Sequence, residues 1–125
     1  MTRINVIPVE ELTDNHLLAE VRELPRIPNA VLKGRYNIIG APTEYTLGTG
    51  HVRMFYNRLG FLKRRYDALH AECLERGFNV QYRFPEGLPV ELMGDYAPTE
   101  HALRINRERI IARWPKKARY CGYLL

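Results

Sequence analysis

Histidine and cysteine are the side chains in this sequence best suited to hold a metal ion. The four histidines are His16, His51, His70 and His101. They form no HExxH or comparable ligand spacing. Cys73 and Cys121 lie far apart and form no CxxC pair, so they cannot supply the usual structural zinc set. The stretch 48–51 lacks the GxxxxGK[ST] spacing of a phosphate-binding loop and is better interpreted as a simple turn. We therefore expect no metal site and no cofactor.

A second group of polar residues lies near the N-terminus. His16, Glu20 and Glu23 are spaced so that they share one face of a helix, while Arg22 and Arg26 lie one turn apart on a neighbouring face. From spacing alone, the preferred interpretation is an ordinary exposed ion pair between Glu23 and Arg26. A lone helical histidine is more often a surface or structurally satisfied residue than a catalyst. Spacing alone therefore assigns no catalytic role here.

The charge balance favours a polyanionic partner. The chain carries 19 Lys and Arg against 14 Asp and Glu, a formal net charge of +5 at pH 7. Residues 101–125 contain one acid, Glu108, and the basic residues Arg104, Arg107, Arg109, Arg113, Lys116, Lys117 and Arg119. A basic face is expected near the C-terminus, although a solvated helix with a basic tail that binds nothing is a common alternative.

Periodic apolar residues predict three main helices. The first begins at Thr13 or Asp14 and should kink or end near Leu24, because Pro25 lacks a backbone donor and crowds the preceding turn. The second covers about 59–73 and ends at a C-cap glycine, Gly77. The third begins at about Thr99 and stops before Pro115. Its inward-facing residues are predicted to be Leu103, Ile110, Ile111 and Trp114.

The connections between these helices are long and rich in glycine and proline, at 34–50 and 85–94. Alternating apolar patterns long enough for a sheet are missing. With 125 residues, of which 46% are hydrophobic, the sequence predicts an all-α fold with one compact domain spanning 1–125 and long irregular loops. Cys73 is expected in its core.

No apolar run approaches the roughly 18 residues needed to span a bilayer, and polar residues occupy the N-terminus where a signal sequence would need an apolar stretch. The separated cysteines are typical of a reduced compartment. We therefore expect a soluble, cytoplasmic monomer.

Several long motifs resemble one known family. They are 2–5, 16–26, 47–56 running on to Leu62, 71–79, and Gly94-Asp95-Tyr96 with Pro98 and Glu100. They resemble, in the right order, the phage-type pyrimidine-dimer DNA glycosylase and abasic-site lyase family. The loops at 30–46 and 80–93 and the C-terminal tail diverge from it.

The resemblance implies a mostly helical enzyme that kinks damaged double-stranded DNA, flips a nucleotide out of the stack and attacks the sugar with its N-terminal amine. It assigns the nucleophile to Thr2 and the acid–base role to Glu23. DNA contacts are implied for Arg3, His16, Arg22, Arg26 and Arg109, with Arg113 and Lys117 as further candidates.

The residues themselves can support an N-terminal amine nucleophile. The small side chain of Thr2 allows an aminopeptidase to remove Met1. An α-amine titrates near neutral pH, so part of it is already neutral at pH 7, whereas a lysine would be almost fully protonated. Arg3, Arg22 and Arg26 would lower the pKa of that amine further if the fold brings them close.

Alternatives remain open at this stage. The tail holds few aromatic residues for stacking, which are Trp114, Tyr120 and Tyr123. A lyase acting on another lesion, such as an abasic site or an oxidised purine, is therefore the nearest alternative. A non-catalytic helical DNA-binding module and a basic structural protein are the others.

Overall fold

The structure, a computed structural model, describes residues 2–116 of the chain. Its α-helices are α1 (Asp14–Glu23), α2 (Arg26–Leu32), α3 (Leu59–Glu75) and α4 (Glu100–Ala112). Within the described range no β-strand forms, and extended backbone pairs only at an isolated bridge between Arg58 and Met93. The predicted all-α fold is confirmed. None of the helices in this range combines the length and apolar character needed to cross a membrane.

The break between α1 and α2 follows from Pro25. Thr13 caps the start of α1 by accepting a hydrogen bond from the backbone N–H of His16 at 3.1 Å. Pro25 has no N–H to continue the helical ladder, and its ring crowds the carbonyl four residues earlier. The predicted end near Leu24 is therefore confirmed, and α2 continues the path as a short seven-residue helix.

The most extensive helix contact lies between α1 and α3. The buried face of α3 includes Leu62, Leu69 and Cys73, so the expected core position of Cys73 is confirmed. Gly77 follows the end of α3 with a φ of 85°, as expected for a glycine after a helix C-terminus.

The inward face of α4 differs from the prediction. Ile110 is buried as expected and Leu103 is partly buried, but Ile111 is 68% exposed and Trp114 is 44% exposed. The other buried positions are Ala102 and Asn106, which with Ile110 follow each other every four residues. Because a helix turns by about 100° per residue, Ile111 lies well away from this face. The prediction failed because it discounted a polar residue, Asn106, as an inward position.

The N-terminal segment, residues 2–7, has no regular secondary structure and forms no strand pairing among the described residues. Its residues from Ile4 to Ile7 are buried. Buried backbone groups require hydrogen-bond partners, and here side chains of α1, α3, α4 and the loop before α3 supply them. The fold therefore holds residues 4–7 in its interior.

Candidate active site

Both backbone polar groups of Ile4 are held by buried side chains. Its N–H donates to Nε2 of His51 at 2.8 Å, and its carbonyl accepts a hydrogen bond from the hydroxyl of Tyr45 at 2.7 Å. We call His51 and Tyr45 the Ile4 clamp. Gly48 and Gly50, between the two clamp residues, adopt φ values of 82° and 86° that form the tight turn expected from the sequence.

The clamp requires a neutral His51 with its proton on Nδ1. The N–H of Ile4 can only donate, so Nε2 must accept, and Nδ1 then donates to the carbonyl of Thr46 at 2.8 Å. Burial lowers the pKa of His51 to about 4, and the positive charges of Arg3 and Arg109 act in the same direction. The imidazole is therefore an uncharged acceptor at neutral pH.

The residues after Ile4 are anchored by a second buried network. The carboxylate of Glu20 accepts from the side chain of Asn5 at 2.8 Å and from its backbone N–H at 3.3 Å. Arg65 pairs with the same carboxylate. Oδ1 of Asn106 accepts from the N–H groups of Val6 and Ile7 at 2.6 and 3.1 Å. Together with the clamp, this network gives every backbone N–H from Ile4 to Ile7 a side-chain acceptor.

The predicted catalytic residues lie close in sequence to this network. Thr2 and Arg3 are half-buried at the start of the anchored segment. Asn5 contacts Glu20, and each of these residues lies three positions in sequence from a predicted catalytic residue: Asn5 from Thr2, and Glu20 from Glu23. The direct contact thus aligns α1 with the segment that carries the proposed nucleophile.

Glu23 pairs with its neighbour Arg22, at 3.4 Å between Nη2 and Oε2. The side chain of Glu23 is 14% exposed and that of Arg22 is 52% exposed. Arg26 is exposed, and no ion pair of this residue is found within residues 2–116. The ion pair between Glu23 and Arg26 that spacing alone favoured is therefore not formed.

Basic residues from both ends of the described chain come together near the anchored segment. Burial lowers the pKa of Arg109, and the charges of Arg3 and Arg113 lower it further. These effects require Arg3 and Arg113 each to lie near Arg109. Arg109 lies in the last turn of α4 and Arg113 directly follows this helix, so the end of α4 completes a positively charged surface beside the N-terminal segment.

His16 lies next to the same surface, at the start of α1. Its Nδ1 is 2.8 Å from Oγ1 of Thr13, and the residue is half-buried. Burial lowers the pKa of His16, as does Arg109, whereas the backbone carbonyl of Arg113 raises it. Lys117, the remaining predicted DNA contact, lies outside the described residues.

The sequence prediction missed the residues that hold the N-terminal segment. The sequence places Glu20 on a polar helix face, but Glu20 is buried, and its spacing gives the turn at 48–51 no role. Asn106 and Arg65 are not among the predicted site residues. A signal was present in the spacing of Ala102, Asn106 and Ile110, which shows a polar residue at a core position.

The chain is similar in sequence to one known protein family. Residues 1–86 match the family described as pyrimidine dimer DNA glycosylase, which is more than half of the chain. The chain belongs to the pyrimidine dimer DNA glycosylase family and is a DNA repair enzyme of the glycosylase class. The match contains the N-terminal segment and the helices α1 to α3, while α4 with Arg109 and Arg113 follows it. In the described part of the chain, no group of three or more His, Cys, Asp or Glu side chains is placed to hold a metal ion.

Proposed function

We propose that this protein is a bifunctional glycosylase and abasic-site lyase for cyclobutane pyrimidine dimers in double-stranded DNA, with the α-amine of Thr2 as its nucleophile. The observation that carries the proposal is the anchoring of residues 4–7 by buried side chains. An ordinary chain terminus is free to fray. Holding the residues next to the terminus in the interior is useful where the terminal amine itself must be placed.

The first step is base release. The neutral amine attacks C1′ of a damaged nucleotide, and the bond between C1′ and the base breaks with its electron pair leaving on the base, which takes up a proton. The bond between C1′ and O4′ then opens, O4′ is protonated, and an imine joins the amine nitrogen to C1′. Met1 must be removed beforehand, because an amide nitrogen at Thr2 is not nucleophilic.

The second step is strand cleavage. Glu23 removes a proton from C2′, the electrons form a double bond between C2′ and C3′, and the bond between C3′ and its oxygen breaks with the electron pair leaving on the phosphate. Water then hydrolyses the imine and frees the amine. A mostly buried carboxylate at the end of α1 suits this role, because it has little bulk water to compete with the substrate.

The basic surface would bind the DNA backbone and favour the reactive form of the amine. Guanidinium groups pair readily with phosphates, which assigns Arg3, Arg22, Arg26, Arg109 and Arg113 to DNA binding. Arg3 and Arg109 also repel a protonated amine and thus lower its pKa. Phosphates paired with these arginines would fix the position of the duplex, so that one nucleotide can be flipped toward Thr2.

The decisive experiment is reductive trapping of the imine. Protein lacking Met1 is incubated with borohydride and with duplexes that contain either a dimer or an abasic site. We expect a covalent adduct on both, with the modified residue located at Thr2 by mass spectrometry. Protein acetylated at the N-terminus should bind duplex but give no adduct. Strand cleavage without any trappable adduct, or binding without cleavage, would overturn the proposal.

A further inference from the structure

We propose that the Ile4 clamp, His51 and Tyr45, positions the α-amine of Thr2 for attack on the sugar. The two side chains touch neither the amine nor the sugar in this proposal and act only through the peptide groups of Ile4. The inference rests on the proposed function, since it explains how the same amine is held in position.

The position of the clamp limits the freedom of the amine. The N–H of Ile4 belongs to the peptide plane shared with Arg3, and its carbonyl belongs to the plane shared with Asn5. Both planes are therefore fixed in rotation by the clamp hydrogen bonds. Only the backbone dihedrals of Thr2 and Arg3 remain between the first fixed plane and the amine.

The clamp is itself well supported. Both rings are buried, and the ring of Tyr45 meets that of His51 edge-on, with centroids 5.4 Å apart. Phe55 packs against both rings, at 6.4 and 5.6 Å. With Nδ1 of His51 fixed by the carbonyl of Thr46, the clamp atoms have little freedom to follow a moving N-terminus.

The clamp is also separable from the anchors of the following residues. Asn5 to Ile7 bond to side chains of α1, α3 and α4, whereas the clamp comes from the loop before α3. Loss of one clamp hydrogen bond should therefore leave residues 5–7 anchored while residues 2–4 gain conformational freedom. Effective attack requires near-contact geometry, and a displacement of about 1 Å can cost on the order of 100-fold in rate.

The test compares Tyr45→Phe with the matched control Tyr66→Phe. Both tyrosines are buried and both hydroxyls donate to a backbone carbonyl, but Tyr66 bonds to Tyr82 and not to the N-terminal segment. The readouts are the single-turnover rate of adduct trapping at saturating abasic-site duplex, the Kd for duplex and the Tm. We expect Tyr45→Phe to slow trapping by about tenfold or more, with a much smaller change in Kd because Arg3 is only one of several proposed phosphate contacts. Tyr66→Phe should trap at the wild-type rate.

A second pair of variants tests the histidine. His51→Gln places an amide oxygen near the position of Nε2 and keeps an acceptor for Ile4, whereas His51→Leu removes it. We expect the glutamine variant to retain more of the trapping rate than the leucine variant. Equal rates in the two, or equal slowing by Tyr45→Phe and Tyr66→Phe, would overturn the positioning role.

A measurement on DNA-free protein tests whether the clamp orders the N-terminal residues, independently of the reaction with DNA. Amide hydrogen exchange and NMR order parameters are followed at Arg3 and Ile4 in wild type, Tyr45→Phe and Tyr66→Phe. Faster exchange and lower order in Tyr45→Phe alone would support the clamp. Unchanged order in Tyr45→Phe would overturn it, while the absence of any adduct in wild-type protein would overturn the proposed function instead.

Discussion

Arg65 donates two hydrogen bonds to the carboxylate of Glu20, from Nε to Oε2 at 2.9 Å and from Nη2 to Oε1 at 3.0 Å. The side chains are 7% and 1% exposed, so this is a buried bidentate ion pair. Arg65 also donates to the carbonyl of Ile7, and Asn5 donates to the same carboxylate. The charged pair thus fixes the N-terminal segment to both α1 and α3.

Breaking this pair should strongly destabilise the fold. Glu20→Gln leaves the Arg65 charge buried without a counter-charge, and we expect a loss of about 3–5 kcal/mol in the free energy of unfolding, measured by urea denaturation. The matched control is Asp67→Asn, which breaks an exposed pair with Lys63 and should cost less than about 1 kcal/mol. Similar losses in the two variants would show that the buried pair contributes no more than a surface pair.

Glu23→Gln should separate binding from chemistry. The amide keeps the size of the side chain but cannot accept the C2′ proton, so single-turnover strand cleavage should fall on the order of 100-fold or more while duplex binding persists. Glu75→Gln, at the last residue of α3, is a control at the equivalent position of another helix. Near-wild-type cleavage by a stably folded Glu23→Gln protein would remove the acid–base assignment.

Removal of Arg3 or Arg109 should reduce the salt dependence of DNA binding. If each guanidinium neutralises one phosphate, its alanine variant should flatten the slope of log K against log salt concentration by about one unit. Fluorescence anisotropy over a range of salt concentrations gives the slope. Arg83→Ala, on the exposed loop beyond α3, should leave it unchanged. An unaltered slope in Arg109→Ala would assign α4 to structure alone.

The buried His51 should make the fold less stable in mild acid. Burial lowers its pKa from the ordinary value of 6.5 to about 4, so between these pH values the unfolded chain binds a proton that the folded chain does not. Stability is then lost as the pH falls through this range, by about 3 kcal/mol at its lower end. Urea denaturation at pH 7 and pH 5 should show a smaller decline in His51→Gln than in wild type. Equal declines would place the titrating group elsewhere.

The structural features that the sequence predicted are those set by residues close together in the chain. Apolar spacing located the main helices, and Pro25 and Gly77 marked helix ends, because caps and chain breaks are set by residues within a turn or two. The resemblance selected Thr2, Glu23 and the arginines, and the family match supports the class of enzyme. Their roles stay predictions.

What could not be predicted depends on polar pairs far apart in the chain. Glu20 and Arg65 are separated by 45 residues, and Asn106 lies 100 residues from Val6. A charged or amide side chain resembles a surface residue until its distant partner is known, so Glu20 was placed on a polar face. The same reason explains why the inward face of α4 was predicted wrongly.

The anchoring of the N-terminal segment also sets an order of events during synthesis. The segment leaves the ribosome before its acceptors, which lie at Glu20, His51 and Asn106. Domains assemble while the chain is still growing, but a contact can form only when both partners have emerged. A nascent chain therefore carries this segment before its acceptors have been made, and it completes the anchorage only after α4 has been translated.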